Sequence, residues 1–146
     1  MRSIGSGGET LGEELLDWGK EVMGLTINEF YGQTECNLVV GNCAGLMPVK
    51  PGSMGRPLPG IDAGIVKHKD GTVEEITTPD TMGELALKAG WPSMMRGYLH
   101  EEARYRKCFA DGWYLTGDLA QREVHVNLER TNVFTRFAID QMGAAT

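Results

Sequence analysis

The segment Asn28-Glu29-Phe30-Tyr31-Gly32-Gln33-Thr34-Glu35 brings an aromatic ring, a glycine, a hydroxyl and a carboxylate into consecutive positions. A tyrosine face can stack on a purine, and a glycine lets a ligand approach the backbone closely. A threonine hydroxyl can hydrogen-bond a phosphate oxygen, and a carboxylate offers a hard oxygen to magnesium. Together these groups suit a nucleotide. Taken alone, the segment reads first as a strand end followed by a capped turn, with Glu35 solvated. Further polar and glycine-rich groups follow the same order along the chain: Gly7-Gly8-Glu9-Thr10 before this segment, then Gly52-Ser53-Met54-Gly55-Arg56-Pro57-Leu58-Pro59-Gly60, Gly83-Glu84-Leu85, Arg96-Gly97-Tyr98-Leu99 and Asp111-Gly112-Trp113-Tyr114-Leu115-Thr116-Gly117-Asp118-Leu119.

The elements that must position these groups are legible from periodicity. Leu11, Leu15, Trp18 and Val22 form one apolar stripe, which predicts a helix from Leu11 to Met23 packed through those four side chains. Thr10 is placed to cap its first amides, Glu13 to reach back to Thr10, and Gly24 to end it in a left-handed conformation. Leu25 to Tyr31 reads as a buried strand whose carboxyl end carries Gly32 to Glu35, where open α/β sheets place their ligands. Prolines and glycines crowd Pro48 to Gly60, predicting an irregular connector. Beyond it, Ala63 to Val66 and Thr72 to Ile76 flank a reversal at Asp70-Gly71, and Glu84 to Lys88 is a further strand. A short helix over Glu101 to Lys107 leads to a second turn at Asp111-Gly112 and a strand from Trp113 to Leu115. The expected class is α/β: a helix-strand unit followed by a small, β-rich, distorted barrel-like subdomain. The expected divisions are 1–60, 61–122 and a divergent tail at 123–146.

Composition narrows the function classes. With 14 basic and 20 acidic residues, the 146-residue chain carries a formal charge of −6, which disfavours a nucleic acid partner. Its 41% hydrophobic content suits a folded domain. No run reaches the ~20 apolar residues of a membrane span, and the start lacks the pattern of a signal peptide. Three cysteines without a Cys-x-x-Cys pair fit a reducing, cytoplasmic setting. The scattered His68, His100 and His125 do not form a zinc pattern. Cys36, Trp91, Met94 and Met95 read as packing residues, and Arg104, Arg106 and Lys107 as a solvated helix face.

The ordered series over about Gly5 to Arg122 resembles the adenylate-forming superfamily of acyl-CoA synthetases, luciferases and peptide-synthetase adenylation domains, and the chain looks like the end of its large N-terminal domain. The resemblance implies that Gly8, Glu9 and Thr10 border adenine, that Tyr31 stacks on it within Glu29 to Thr34, and that Thr34 contacts the α-phosphate. It implies that Glu35 helps to hold magnesium and that Asp118 takes the ribose hydroxyls. Site residues are therefore Gly8, Glu9, Thr10, Glu29, Phe30, Tyr31, Gly32, Gln33, Thr34 and Asp118 for nucleotide, Thr34 and Glu35 for catalysis, and Glu35 for the metal. ATP or AMP, Mg2+, a carboxylic acid and coenzyme A are the implied ligands.

Tyr-Gly-Gln-Thr-Glu with the Gly-Ser-Met-Gly-Arg-Pro-Leu-Pro-Gly connector is closer to the coenzyme A ligases than to carrier-protein adenylation domains, whose motif commonly has proline at the position of Gln33. Departures also stand out. The family's phosphate loop, Arg-x-Asp hinge and lysine-bearing lid have no counterpart in the sequence, and Arg130 and Arg136 do not match the hinge. The expectation is thus a fragment of an ATP-dependent acyl-CoA synthetase, inactive alone. The alternatives are a noncatalytic adenine-nucleotide-binding or interaction protein, or a frame-disrupted product. A fragment should also expose apolar surface around Leu25 to Phe30 and Leu38 to Val40, favouring self-association.

Overall fold

A computed structural model describes the backbone of residues 1–127 and 132–139, with side chains described through Glu123. Ile4–Gly7 (β1) lies parallel to Ile27–Gln33 (β2), and the helix Glu13–Met23 (α1) connects them. β2 turns back antiparallel into Asn37–Gly41 (β3), which pairs with the two-residue Arg56–Pro57 (β4). This first sheet has the order β1-β2-β3-β4. After the Pro/Gly connector come Ala63–Lys69 (β5), Thr72–Glu75 (β6), Met82–Lys88 (β7), the helix Glu102–Lys107 (α2), Phe109–Ala110 (β8), Trp113–Asn127 (β9) and Asn132–Ile139 (β10). They form an antiparallel sheet of order β10-β9-β7-β5-β6, with β8 pairing β9 off that path. The expected β-rich second half is therefore present.

Turn chemistry sets much of this layout. Asp70 and Gly71 both take positive φ (52° and 78°), as do Asp111 and Gly112 (49° and 77°), the geometry that matches the twist of flanking strands. At the β2–β3 turn a Cβ on Gly32 would lie 2.2 Å from the Asn37 carbonyl oxygen, so this hairpin needs glycine there.

The core is shared between the sheets. Cys36, Val39 and Val40 from the first pack in one cluster with Ile65, Leu85, Leu87 and Tyr114 from the second. Trp91, Met94 and Met95 pack against this cluster, as expected of them, and Cys36 is fully buried.

Four local expectations are corrected. The helix begins at Glu13, with Gly12 as a cap residue that makes no side-chain bond, so the Thr10–Glu13 cap is not formed. Its inward face is Leu16 and Gly19, joined by Leu11 before the helix and by Ile27 of β2. Gly19 lies where a Cβ would meet Ile27 Cγ1 at 2.8 Å, and this close approach decides the helix rotation. Apart from Leu11, which is buried as expected, the predicted stripe stands about 100° around the helix from that contact, given 3.6 residues per turn. Leu15, Trp18 and Val22 consequently remain 52%, 46% and 64% exposed. The strand predicted at Leu25 begins at Ile27, because the Leu25 amide donates to Gly19 O and closes the helix end. Finally, Ile27, Val39 and Val40 are buried, covered by α1 and by the second sheet, and of the apolar side chains of β3 only Leu38 is exposed. The apolar surface lies on α1 instead.

Candidate functional site

Two segments far apart in sequence meet where β2 ends beside β9. β9 departs from regular pairing with β7 between Leu115 and Leu119, where Gly117 takes a positive φ, and Tyr114, the Thr116 carbonyl and Asp118 all meet Gln33 there. The Tyr31 hydroxyl donates to Asp118 Oδ2 at 2.5 Å, and Gln33 Nε2 donates to the same oxygen at 2.8 Å. Gln33 Nε2 also reaches the Thr116 carbonyl at 2.9 Å, while Tyr114 donates to Gln33 Oε1 at 2.8 Å. Gln33 is thereby held at both ends of its amide. No described hydrogen bond falls on Asp118 Oδ1, which leaves one carboxylate oxygen for a ligand.

Backbone conformation supports this arrangement. Gly117 has φ 77°, its amide donates to Glu84 Oε1 at 2.9 Å, and the Asp118 amide donates to Thr116 Oγ1 at 3.1 Å. Burial, and then the bond to Asp118, push the Tyr31 phenol far above its ordinary value. Burial raises Tyr114 in the same direction. Both phenols therefore remain protonated donors at neutral pH, and neither is a candidate base.

Glu35 sits one turn further on. Its carbonyl accepts the Met95 amide at 2.6 Å, and the neighbouring Cys36 carbonyl accepts Trp91 Nε1 at 3.2 Å and Ser93 Oγ at 3.4 Å. These bonds fasten the loop after β7 onto the Thr34–Cys36 turn. The same loop supplies Tyr98, whose hydroxyl donates to Glu35 Oε1 at 2.8 Å. Burial first, and the Glu35 bond second, push the Tyr98 phenol up to about 12.

Two clefts share Gln33 as a wall. The first, about 340 Å³, is lined by Gly8, Phe30, Gly32, Gln33 and Thr34 with two residues of β3. The second, about 420 Å³, has Glu35, Thr116 and Gly117 on one side and Tyr98, Arg104 and Lys107 on the other. Of the predicted site residues, the first cleft gathers Gly8, Phe30, Gly32, Gln33 and Thr34, while Tyr31 and Asp118 join through the hydrogen bonds around Gln33. Glu9 and Thr10 are exposed next to Gly8. Glu29 stands apart from both clefts: it is buried, and its Oε1 accepts the Leu11 amide at 3.1 Å. Burial raises its carboxyl above the ordinary value, offset in part by that bond.

Sequence reading missed Tyr98, Tyr114 and Glu84 as site neighbours and set Arg104 and Lys107 aside as solvated. Alternation at the start of β9, which sets Tyr114 on the face opposite Trp113, contained the signal for Tyr114. Tyr98 stands in the Arg96-Gly97-Tyr98-Leu99 element of the ordered series, but nothing local signals its contact with Glu35, which arises only through tertiary packing.

Among the described residues no group of three or more His, Cys, Asp or Glu side chains could hold a metal ion. A single Glu35 carboxylate in an open cleft fits magnesium of the kind that arrives on phosphate oxygens, which needs only one or two protein carboxylates.

A βαβ unit joined to an antiparallel sheet, with a Tyr-x-Gln-Thr-Glu turn meeting a Thr-Gly-Asp turn, defines a segment of an adenylate-forming large domain. The family described as AMP-binding enzyme matches residues 1–99, and the chain belongs to it. It is 37% identical over 121 residues to acetyl-coenzyme A synthetase of Bacillus subtilis, covering 82% of this chain and 20% of that protein. It is 38% identical over 122 residues to 4-hydroxybutyrate--CoA ligase 1 of Metallosphaera sedula, covering 82% and 21%. Among solved structures, ATP-bound MatB from Rhodopseudomonas palustris matches with a TM-score of 0.76 at 26% identity, over 95% of this chain and 25% of that one. O-succinylbenzoate coenzyme A synthetase from Bacillus subtilis, in complex with ATP and magnesium, matches with a TM-score of 0.70 at 29% identity, over 94% and 26%. The chain thus spans about a fifth of the length of these curated relatives. Among the described residues no helix is long and apolar enough to cross a membrane.

Proposed function

We propose that this chain is the nucleotide-recognising segment of an ATP-dependent acyl-CoA synthetase acting on a short or medium aliphatic carboxylic acid. In the complete reaction the acid carboxylate attacks the α-phosphorus of ATP, forming acyl-AMP and releasing pyrophosphate. The thiol of coenzyme A then attacks the acyl carbon and AMP leaves. The carrying observation is the convergence of Tyr31 and Gln33 on Asp118 across more than eighty residues of sequence.

Asp118 Oδ1 is assigned to the ribose hydroxyls, held in place because Oδ2 is already fixed by two donors. Tyr31 supplies the adenine wall and Thr34 a hydroxyl for the α-phosphate, with Gly8, Glu9 and Thr10 at the adenine edge. Gly32 sets the hairpin that presents Gln33 and Thr34. Phe30 lines the cleft, and Glu29 fixes the chain entry to α1. Glu35 would hold magnesium, which when bound neutralises charge on the phosphates. The proposed organisation remains a nucleotide-binding portion over 1–60, a β-rich portion over 61–122 and a tail of unassigned role over 123–146.

Because the chain spans about a fifth of the length of its relatives, alone it is expected to bind nucleotide weakly and to give no acid-dependent exchange of labelled pyrophosphate into ATP. Exchange clearly above a Glu35→Ala control, across several aliphatic acids, would contradict the assignment of inactivity. Saturable AMP binding without exchange is the expected result. Absence of AMP binding would remove the nucleotide assignment itself.

A further inference from the structure

Arg104 and Lys107 lie one helical turn apart on α2 and line the same cleft as Glu35, Glu84 and His68. Arg106 between them is spent elsewhere, pairing with Glu102 at 2.8 Å. The Arg104 guanidinium lies over the Tyr98 ring, 4.3 Å from its centroid, and Tyr98 in turn donates to Glu35. Stacking on an aromatic face orients a planar guanidinium while leaving its N–H edge available. None of the described ion pairs uses Arg104, Lys107, Glu35 or Glu84. The cleft therefore holds two cations and two carboxylates that face a common space without neutralising one another in contact.

That mixture selects among ligands. A bare anion in the cleft would meet two carboxylates, and a bare cation would meet a guanidinium and an ammonium. A polyphosphate carrying magnesium satisfies both sets, with the metal toward the carboxylates and the phosphate oxygens toward Arg104 and Lys107. We infer that α2 forms one wall of a site for a magnesium-complexed diphosphate, in which Arg104 and Lys107 contact the phosphate oxygens. The inference rests on the nucleotide reading for its choice of anion, and it gives two residues outside the shared motifs a part in binding. The diphosphate could be the outer end of ATP or the diphosphate bridge of coenzyme A, which have the same chemistry at this cleft.

The test is a calorimetric titration of the full chain with magnesium pyrophosphate, pyrophosphate in chelator, coenzyme A and AMP, each in separate runs. Arg104→Ala/Lys107→Ala should weaken magnesium pyrophosphate binding about tenfold or more, the loss expected when charge-assisted bonds are removed. Arg106→Ala should leave it unchanged, and AMP affinity should be retained in both variants, which also reports that they are folded. The exchange Arg104→Lys/Lys107→Arg should restore part of the binding. Failure of the wild-type chain to bind magnesium pyrophosphate saturably, equal binding in chelator, or undiminished binding by the double variant would overturn the inference. Loss of magnesium pyrophosphate binding in the double variant supports the inference, with the outer end of ATP as the source if coenzyme A binding is kept and coenzyme A as the source if it is lost as well. If AMP does not bind while magnesium pyrophosphate binds in an Arg104-dependent way, the α2 site stands and the nucleotide reading fails.

Discussion

Replacing Asp118 with asparagine removes one charge while keeping the shape of the group that Tyr31 and Gln33 hold. Both donors point at Oδ2, and an asparagine carbonyl oxygen in that position can accept from both. The amide nitrogen then faces the ligand where a carboxylate oxygen stood. A hydrogen bond to a charged group is worth about 1.5–3 kcal/mol and a neutral one about 0.5–1.5 kcal/mol, so the exchange costs ~1 kcal/mol or somewhat more. Solvent access to the open cleft reduces that, giving a loss in AMP affinity of about three- to tenfold. Asp118→Ala is the harsher variant because it strands two donors, at about 1–3 kcal/mol of folding stability each if they remain unsatisfied. Calorimetry with AMP and 2′,3′-dideoxy-AMP is the assay. The wild-type chain should prefer AMP, and in Asp118→Asn that preference should shrink by the same three- to tenfold without vanishing. Unchanged affinity together with unchanged discrimination in Asp118→Asn would refute the ribose assignment, because the fold-level role of Oδ2 is preserved in that variant.

Leu85 is fully buried in the shared core, and Leu85→Ala should cost about 2–5 kcal/mol in a denaturant titration, whereas Trp18→Lys on the exposed side of α1 should change stability by less than ~0.5 kcal/mol. The same Trp18→Lys change, combined with Leu15→Lys and Val22→Lys, should reduce any concentration-dependent light scattering, and a wild-type chain that is strictly monomeric would refute that role for the α1 face. Burial raises the Glu29 carboxyl, so the folded state favours its protonated form. Stability should therefore fall as pH rises through and above the ordinary value of 4.5, and Glu29→Gln should melt higher than wild type near neutrality with the difference vanishing in acid. Burial pushes the Cys36 thiol up to about 11, so a thiol reagent at neutral pH should modify the exposed Cys43 first and reach Cys36 only on unfolding.

The parts of the fold legible in the sequence were those encoded by local chemistry. Asp-Gly pairs fixed both tight reversals, Gly24 ended α1, and the proline-rich connector precedes the second sheet, although its Arg56–Pro57 pairs with β3 as β4 of the first. β1 escaped notice because Ile4 to Gly7 carries a single apolar side chain, so neither helical nor strand periodicity could mark it. It is a strand because β2 offers it a parallel partner. The rotation of α1 was misread for a related reason. Periodicity weights large apolar side chains, but Gly19 makes the closest approach to the sheet, and a glycine is invisible to a hydrophobic pattern. At the site, Gln33 and Asp118 were legible as motif members, although their mutual hydrogen bond was not. Tyr98 and α2 were not legible as neighbours of Glu35 because the loop that brings them there is fastened by backbone bonds to the Glu35 and Cys36 carbonyls. Such bonds leave no trace in residue type.

Gly8, Gln33 to Glu35 and Thr116 to Asp118 are proposed to form one nucleotide-binding surface. Backbone amide shifts of isotopically labelled chain during titration with AMP test it most directly. Saturable, fast-exchanging shifts are expected at those residues and at Tyr31, with Lys88 and Trp113, which line a separate cleft, unaffected. Saturable shifts centred on Lys88 and Trp113, or none anywhere at millimolar AMP, would contradict it.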